Sequence, residues 1–338
     1  MKIKLTLLAI LTAGLCLVSN THAAIGDPVA LVDSSDEIVV DATLDAASVA
    51  KIKEAEDAGG AKRLKIMQAK PADLGPLVEA LPNVEVLELF QCTLEDLAPL
   101  TKLANLKELS VYGSTLKDFS PLAGCAKLRF VKFGKTKGAD YATLGKLAQV
   151  ERFEAASQSE MTDIVWVENL PNLKWMNLAY EKISDFTPLA KTKIEELQLQ
   201  YASSVDIKQL GGAATLQKLH LIALNDAVGF EALAHLVNLK ELILSGVNKK
   251  DGTVDVAFLK NLANLQKLEI IGETNVVNFE AVAACEKLTS VNLTKAKGIT
   301  SLAPLKKLPA LKTVTVSKDA FNAEELAGFN EKVKVNVR

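Results

Sequence analysis

The chain has 338 residues, of which 49% are hydrophobic but only 5% aromatic, and its formal charge is −2. This composition excludes a low-complexity disordered chain and predicts a core built from aliphatic side chains. A charge so close to balance, with no Lys/Arg run longer than a pair, disfavours nucleic acid and anionic lipid as partners.

Residues 1–23 have the features of an export signal. Two lysines precede an apolar run from Leu5 to Val18, and Thr21-His22-Ala23 ends the segment as a cleavage site of small-x-small type. The run is shorter than the roughly 20 apolar residues that a membrane-spanning helix needs. A lipoprotein signal around Cys16 is disfavoured because Leu15 stands where that signal requires a small residue. We expect cleavage after Ala23 and a soluble mature protein, without membrane insertion, in the periplasm or outside the cell.

Residues 24–60 are predicted to form an N-terminal cap. Ile38 to Val40 favours a short strand. Asp45 to Ala58 favours a helix that is stopped by Gly59 and Gly60. A cap is expected because the first unit of a repeat protein would otherwise expose an apolar cross-section.

One short apolar pattern recurs through residues 61–338. LANLKELSV at 103–111 is followed by LPNLKWMNL at 170–178, LVNLKELIL at 236–244 and LANLQKLEI at 262–270. Taking the first Leu of L-x-x-L-x-L as position one, we place the first unit at Leu64 and a final strand at Val333, with spacings of 20 to 26 residues. Apolar positions four and six alternate with exposed positions three, five and seven, which is the period of a β-strand.

The segments between the strands carry a second pattern. DLAPL at 96–100, DFSPL at 118–122, DFTPL at 185–189 and SLAPL at 301–305 each place Asp or Ser shortly before Pro. Such side chains accept hydrogen bonds from backbone N–H groups at the start of a helical turn, and Pro is tolerated there. We therefore predict short helical turns on the convex side, and a C-terminal cap with a short helix opened by Asn322 and Glu325.

Together these repeats resemble leucine-rich repeats of the short, roughly 22-residue class of internalins and SDS22-like regulators. The resemblance covers nearly the whole mature chain. It implies an α/β fold: a right-handed curved solenoid with a parallel β-sheet of about 12 or 13 short strands on the concave face. Members of this class usually carry Asn at position nine, and this chain does not. We therefore expect an irregular turn after each strand.

The residues that could carry chemistry are few. After removal of the signal, three cysteines remain, and we expect Cys92, Cys125 and Cys285 to be buried hydrophobic residues rather than redox centres. His220 and His235 face different sides of a repeat, so they cannot form a two-His metal site. No cofactor or metal site is predicted, and catalysis by His220 acting as a general base is the weakest of the functional hypotheses.

The concave face is the predicted binding surface. Its charged side chains alternate in sign, which predicts cross-strand ion pairs. Aromatic residues gather near its first half, and two isoleucines extend the apolar surface. The candidate ligand-binding residues are Phe90, Tyr112, Phe130, Trp175, Tyr180, Tyr201, Ile222 and Ile243.

The sequence favours an exported, monomeric, non-enzymatic protein that binds another protein or an envelope component. Two alternatives stay open. One is a passive structural protein of the cell envelope, and the other is an enzyme centred on His220.

Overall fold

A computed structural model describes residues 37–41, 49, 53, 62–68, 74–94, 96–158, 160–180, 182–202, 204–248 and 252–338. The predicted export signal and most of the predicted cap helix lie outside the described residues. Within the described part of the chain, no helix is both long and apolar enough to cross a lipid bilayer.

Fourteen parallel strands form one sheet in which spatial order follows chain order. This confirms the predicted solenoid with a parallel sheet. Two further short strands, β11 (Val254–Asp255) and β13 (Val276–Val277), pair with each other in a separate sheet. The strands of the main sheet are β1 (Glu37–Asp41), β2 (Arg63–Met67), β3 (Val86–Phe90), β4 (Glu108–Tyr112), β5 (Phe130–Gly134), β6 (Arg152–Ala156), β7 (Trp175–Ala179), β8 (Glu196–Gln200), β9 (Lys218–Ile222), β10 (Glu241–Ser245), β12 (Lys267–Ile271), β14 (Ser290–Leu293), β15 (Thr313–Val316) and β16 (Lys334–Val337).

The register of the first repeat differs from the sequence interpretation. Leu64 pairs with Leu87, which is at position four of its unit, so Leu64 is also at position four and the unit starts at residue 61. The unit has no Leu at its first position, because residues 61–66 read AKRLKI, and Leu64 and Ile66 are its positions four and six.

Short helices return the chain along the convex side, as predicted. Three are α-helical: α1 (Gly75–Ala80), α2 (Ala303–Lys306) and α3 (Ala323–Leu326). The described residues also form nine 3₁₀-helices, which are Ala98–Lys102, Ser120–Gly124, Tyr141–Lys146, Val165–Asn169, Thr187–Lys191, Ile207–Leu210, Phe230–His235, Ala257–Asn261 and Phe279–Ala284.

Aspartates start many of these turns by the predicted mechanism. The Oδ1 atom of Asp96 accepts a hydrogen bond from the backbone N–H of Ala98 at 2.8 Å, and Asp118 and Asp185 make the same bond to the second residue after them. At the C-terminal cap, Asn322 accepts from the N–H of Glu325 at 2.9 Å. These bonds satisfy N–H groups that a short helix leaves without an internal partner.

The core is the space between the sheet and the helices. Inward positions four and six are buried in the main-sheet strands from β2 to β15, as Leu109 and Val111 illustrate. The Sγ atoms of Cys125 and Cys285 donate to the carbonyls of Leu100 and Leu259, and the described cysteines are free thiols. Burial raises the pKa of both thiols to about 11, in agreement with the expectation of inert buried cysteines.

The turn after each strand is regular, so the expectation of an irregular turn is wrong. Position eight has a positive φ in eleven repeats, from Gln68 at 60° to Lys295 at 60°. Polar side chains near position nine then bridge adjacent coils: Ser114 Oγ accepts from the N–H of Cys92 at 2.9 Å, and Gln158 Oε1 accepts from Thr136 at 2.9 Å. Hydroxyl and amide groups other than Asn therefore supply part of the expected backbone bridging.

Asparagines bridge the coils just before the amino-terminal ends of the strands. The Nδ2 groups of Asn172, Asn238 and Asn264 each donate to a backbone carbonyl of the preceding repeat, at 2.9, 2.9 and 3.0 Å. These residues are the Asn of the recurring L-x-N-L motif. The bridging explains why the motif keeps a polar residue just before the strand.

Candidate binding site on the concave face

The structure divides the six predicted aromatic residues into two groups. One lies at the amino-terminal ends of the strands and the other at their carboxyl-terminal ends. Phe130 and Trp175 are the first residues of their strands, at position three. Phe90 and Tyr112 end their strands at position seven, and Tyr180 and Tyr201 directly follow strands at position eight. Four residues of strand separate positions three and seven, which is about 13 Å. The two groups cannot act as one continuous aromatic surface.

The group at the amino-terminal edge is occupied by internal contacts. The guanidinium carbon of Arg152 lies 5.0 Å from the ring centroid of Phe130 and 4.7 Å from that of Trp175. The two rings meet edge to face at 5.9 Å. Trp175 Nε1 also donates to Glu196 at 2.9 Å. Because cation–π and hydrogen-bonding contacts already use these side chains, the cluster supports the sheet rather than presenting a free surface.

The group at the carboxyl-terminal edge forms two stacked pairs. The rings of Phe90 and Tyr112 are 5.4 Å apart with an interplanar angle of 3°, and those of Tyr180 and Tyr201 are 4.5 Å apart with an angle of 2°. Tyr180 and Tyr201 are 44% and 39% exposed. Large ring surfaces on this edge are therefore in contact with solvent.

Tyr180 and Tyr201 also occupy unusual backbone positions. Their φ angles are 61° and 55°, in the left-handed region that bulky residues rarely adopt. In nine other repeats the same position holds Gln, Gly, Lys, Ser or Ala. The left-handed conformation therefore belongs to the repeat turn, and what distinguishes these two repeats is the large exposed ring that each carries there.

Between the two stacked pairs lies a hollow of about 300 Å³. Its floor is made by position seven of β5, β6 and β7, where Gly134, Ala156 and Ala179 replace the larger residues of neighbouring strands. Tyr112 forms one wall and leans over Gly134, while Tyr180 and Tyr201 line the opposite side. Three consecutive small residues thus create the concavity.

Polar side chains line the hollow at position five and beside it. Lys132 and Glu154 form an ion pair at 3.2 Å. Gln200 Nε2 donates to Asn177 Oδ1 at 2.9 Å, and Ser110 lines the same hollow. The charges within the lining cancel, and the remaining polar groups are amides and hydroxyls that can both donate and accept hydrogen bonds.

Two residues of the predicted site are less accessible than expected. Ile222 is half-buried, and Ile243 is only 5% exposed. Ile243 is at position five of β10, between His220 of β9 and Glu269 of β12, which are also buried. The expectation that Ile243 extends an open apolar surface is wrong.

His220 is also buried and is 0% exposed. Its Nε2 lies 3.2 Å from Glu241, which also accepts from Lys267 at 2.9 Å. Burial alone would raise the pKa of Glu241, but the hydrogen bonds from His220 and Lys267 outweigh it and lower that pKa to about 2. A histidine without access to solvent is a poor candidate for a general base.

A larger depression of about 560 Å³ lies at the amino-terminal edge of β8 to β12. It is lined by polar side chains without any aromatic residue, and Lys240 Nζ donates to Gln217 within it at 2.8 Å. Apolar surface with a few oriented polar groups characterises ligand sites. The hollow beside the tyrosines therefore fits a ligand better than this larger, polar depression does.

Sequence reasoning named the tyrosines of the hollow but missed its floor and its polar lining. Gly134, Ala156 and Ala179 carry no chemistry of their own, so a search for reactive groups passes over them. Aligning position seven of successive repeats would have revealed the run of small residues. Across the described ranges, no cluster of three or more His, Cys, Asp or Glu side chains is arranged to hold a metal ion.

Comparison with known proteins gives a likeness in structure alone. No model of a protein family matches the chain, and no curated protein has a matching sequence. An internalin from Listeria monocytogenes is 20% identical, with a TM-score of 0.60 over 81% of this chain and 79% of the internalin. A leucine-rich-repeat protein from Leptospira interrogans is 17% identical, with a TM-score of 0.51 over 88% of this chain and 89% of that protein. The likeness shows the fold alone, which is that of a leucine-rich-repeat solenoid.

Proposed function

We propose that this leucine-rich-repeat solenoid is an exported, monomeric, non-enzymatic protein that binds a protein or an envelope component through its concave face. The single observation that carries the proposal is the pair of exposed, stacked tyrosines held in left-handed backbone beside the hollow. Repeat scaffolds in general present such extended concave surfaces to partners. The fold by itself supports binding only by analogy.

Within the concave face, the proposal assigns binding to Tyr112, Tyr180 and Tyr201, with Phe90 supporting Tyr112 from behind. Tyrosine is among the residue types that are enriched in binding hot spots. Phe130 and Trp175 are left out because Arg152 occupies them, and Ile243 is left out because it is buried. Ile222 adjoins the hollow at position seven of β9 and belongs to its margin.

The proposed export rests on residues 1–23 alone. Expression in a bacterial host with intact-mass measurement of the exported protein tests it, and the expected mass is that of a chain starting at Ala24. Recovery of the uncleaved chain from the cytoplasm would overturn the proposed localisation. Light scattering coupled to size exclusion tests the proposed monomer.

Affinity capture from an envelope fraction tests the binding assignment. We expect Tyr180→Gln with Tyr201→Gln to abolish retention of partners that the unchanged protein captures. Gln is chosen because Gln68 and Gln91 hold the same left-handed turn in other repeats. Trp175→Ala at the opposite edge and Val165→Ala on the convex side are the controls, since Val165 is 55% exposed. Loss of retention in a control but not in the tyrosine variant would contradict the assignment.

A further inference from the structure

We propose that the hollow between Tyr112 and the Tyr180–Tyr201 pair binds a neutral oligosaccharide. This inference rests on the proposed function and gives its ligand a chemical class. Four features of the hollow carry it: the flat ring surfaces, the shallow floor, the kind of polar group in the lining, and the balance of charge.

The first feature is the surface of the aromatic rings. Within each pair the rings are stacked and nearly parallel, at 3° and 2°, so one face of each ring is covered by its partner and only the outer faces can meet a ligand. Tyrosine combines an apolar ring with a polar hydroxyl at its tip. A pyranose ring is amphipathic in the complementary way, with C–H groups on its faces and hydroxyls around its rim. The exposed rings of Tyr180 and Tyr201 therefore match the face of a sugar ring, whereas the ring of Tyr112 packs over Gly134, with Lys135 Nζ 5.7 Å from its centroid, and bounds the opposite side of the hollow.

The floor determines how deeply a ligand can enter the hollow. Gly134, Ala156 and Ala179 give a broad and shallow surface, with no deep apolar pocket for a large anchor side chain. Protein partners gain most of their binding energy from anchors that fill well-packed pockets. A flat ligand lying across three strands, with a span of about 10 Å, uses this floor better.

The polar lining supplies paired donors and acceptors. Asn177 and Gln200 are already oriented by the 2.9 Å hydrogen bond between their side chains. Each amide can both donate and accept, and the Ser110 hydroxyl can do the same. Vicinal hydroxyls of a sugar require donors and acceptors in close alternation, which this set of side chains provides.

Charge selects between neutral and ionic ligands. The ion pair of Lys132 with Glu154, at 3.2 Å, leaves the lining without net charge. An anionic ligand would have to approach Glu154, and a cationic one would have to approach Lys132. A neutral ligand is repelled by neither Lys132 nor Glu154.

The experiment measures binding of the exported protein to an array of defined oligosaccharides of two to six units. The neutral arm contains hexose and N-acetylhexosamine chains, and the acidic arm contains uronic acid and sialylated chains. The strongest binder is then titrated by calorimetry against variants. We expect a neutral chain to bind and Tyr180→Gln with Tyr201→Gln to weaken it at least about tenfold. Trp175→Ala and Val165→Ala should change the affinity less than about twofold.

Thermal unfolding of each variant separates loss of binding from loss of fold. If the double Gln variant unfolds early, Ala156→Leu provides a second test, because it fills the floor of the hollow without touching either tyrosine pair. This filling variant should also reduce binding about tenfold. Unchanged affinity in a folded Ala156→Leu protein would place the sugar elsewhere and overturn the proposal.

The remaining outcomes distinguish this inference from the proposed function. If no neutral oligosaccharide binds, or if only acidic ones bind, the inference is overturned. If envelope proteins are nevertheless captured in a manner that depends on Tyr180 and Tyr201, the proposed function stands and its ligand is a polypeptide. If neither sugar nor protein binding depends on these tyrosines, both proposals fail together.

Discussion

Tyr112 lies directly over Gly134 on the neighbouring strand, so that a methyl group added to Gly134 would collide with ring carbons Cδ2 and Cε2. Gly134 is therefore part of the wall of the hollow as well as its floor. The backbone of Gly134 has no positive φ that would require glycine for conformational reasons. The requirement comes from the close approach of the tyrosine ring.

Gly134→Ala should consequently reduce partner binding while leaving the fold intact. The added methyl group forces Tyr112 to rotate away from the hollow, and overpacking of this kind costs about 1 kcal/mol or somewhat more of unfolding free energy. Urea unfolding and affinity measurement on the same preparation check both parts. Gly124→Ala is the matched control, since it adds the same methyl group in a convex 3₁₀-helix, against Thr101 and away from the hollow. Full affinity in Gly134→Ala would show that the ring position is unimportant.

Glu241 should make the protein less stable in acid. Because its pKa is lowered from 4.5 to about 2 in the folded state, its contribution is complete above pH 4.5 and is lost as the pH falls towards 2. We expect the unchanged protein to lose about 1 to 2 kcal/mol more than Glu241→Gln over that interval, after allowance for the partial solvent exposure of the ion pair.

Urea unfolding at several pH values between 2.5 and 6 measures this difference directly. Other carboxylates titrate in both proteins, so their effect cancels in the comparison. Parallel acid profiles for the two proteins would show that His220 and Lys267 do not stabilise ionised Glu241.

The asparagine of the L-x-N-L motif should contribute to stability through one hydrogen bond per repeat. Asn238→Ala removes the 2.9 Å bond to the Ala214 carbonyl, and we expect a loss of about 1 kcal/mol in unfolding free energy. Asn225→Ala is a suitable control, because Asn225 is exposed in the turn after β9 and its side chain makes no hydrogen bond of this type. Equal effects of the two substitutions would rule out the bridging role.

Cys125 and Cys285 should resist alkylation in the folded protein. Burial raises the pKa of each thiol to about 11, so almost no thiolate exists near neutral pH, and neither sulfur is accessible. Iodoacetamide at pH 8 followed by mass spectrometry should find both unmodified until denaturant is added. Rapid labelling of either residue without denaturant would mean that the surrounding repeat opens locally.

The repeat pattern was sufficient to predict the solenoid, because apolar positions such as Leu109 and Val111 recur with the period of a strand at intervals of 20 to 26 residues. The Asp and Pro of the return segments likewise predicted the convex turns, since these effects are local. Burial of His220 and Ile243 could not be predicted in this way. It depends on contacts between neighbouring strands, such as that of His220 with Glu241, which in turn accepts a hydrogen bond from Lys267.

Expectations about the turns and the aromatic surface failed for different reasons. The turn after the strand is set by left-handed backbone at position eight, so it persists without Asn at position nine. The aromatic residues were treated as one group, although positions three and seven lie at opposite edges of a strand. Phe130 and Tyr112 are on adjacent strands but at opposite ends of them, so the length of a strand separates the two side chains.

Because spatial order follows chain order throughout the main sheet, the width of the hollow equals a whole number of repeats. Removing the unit that contains β6 would bring Tyr112 and Tyr180 nearer by one strand spacing, about 4.8 Å, while each remaining coil keeps a neighbour on both sides. Duplicating that unit would move them apart by the same amount. Gain or loss of repeats thus gives such a chain a discrete series of ligand sizes, from which selection can act on specificity without remaking the core.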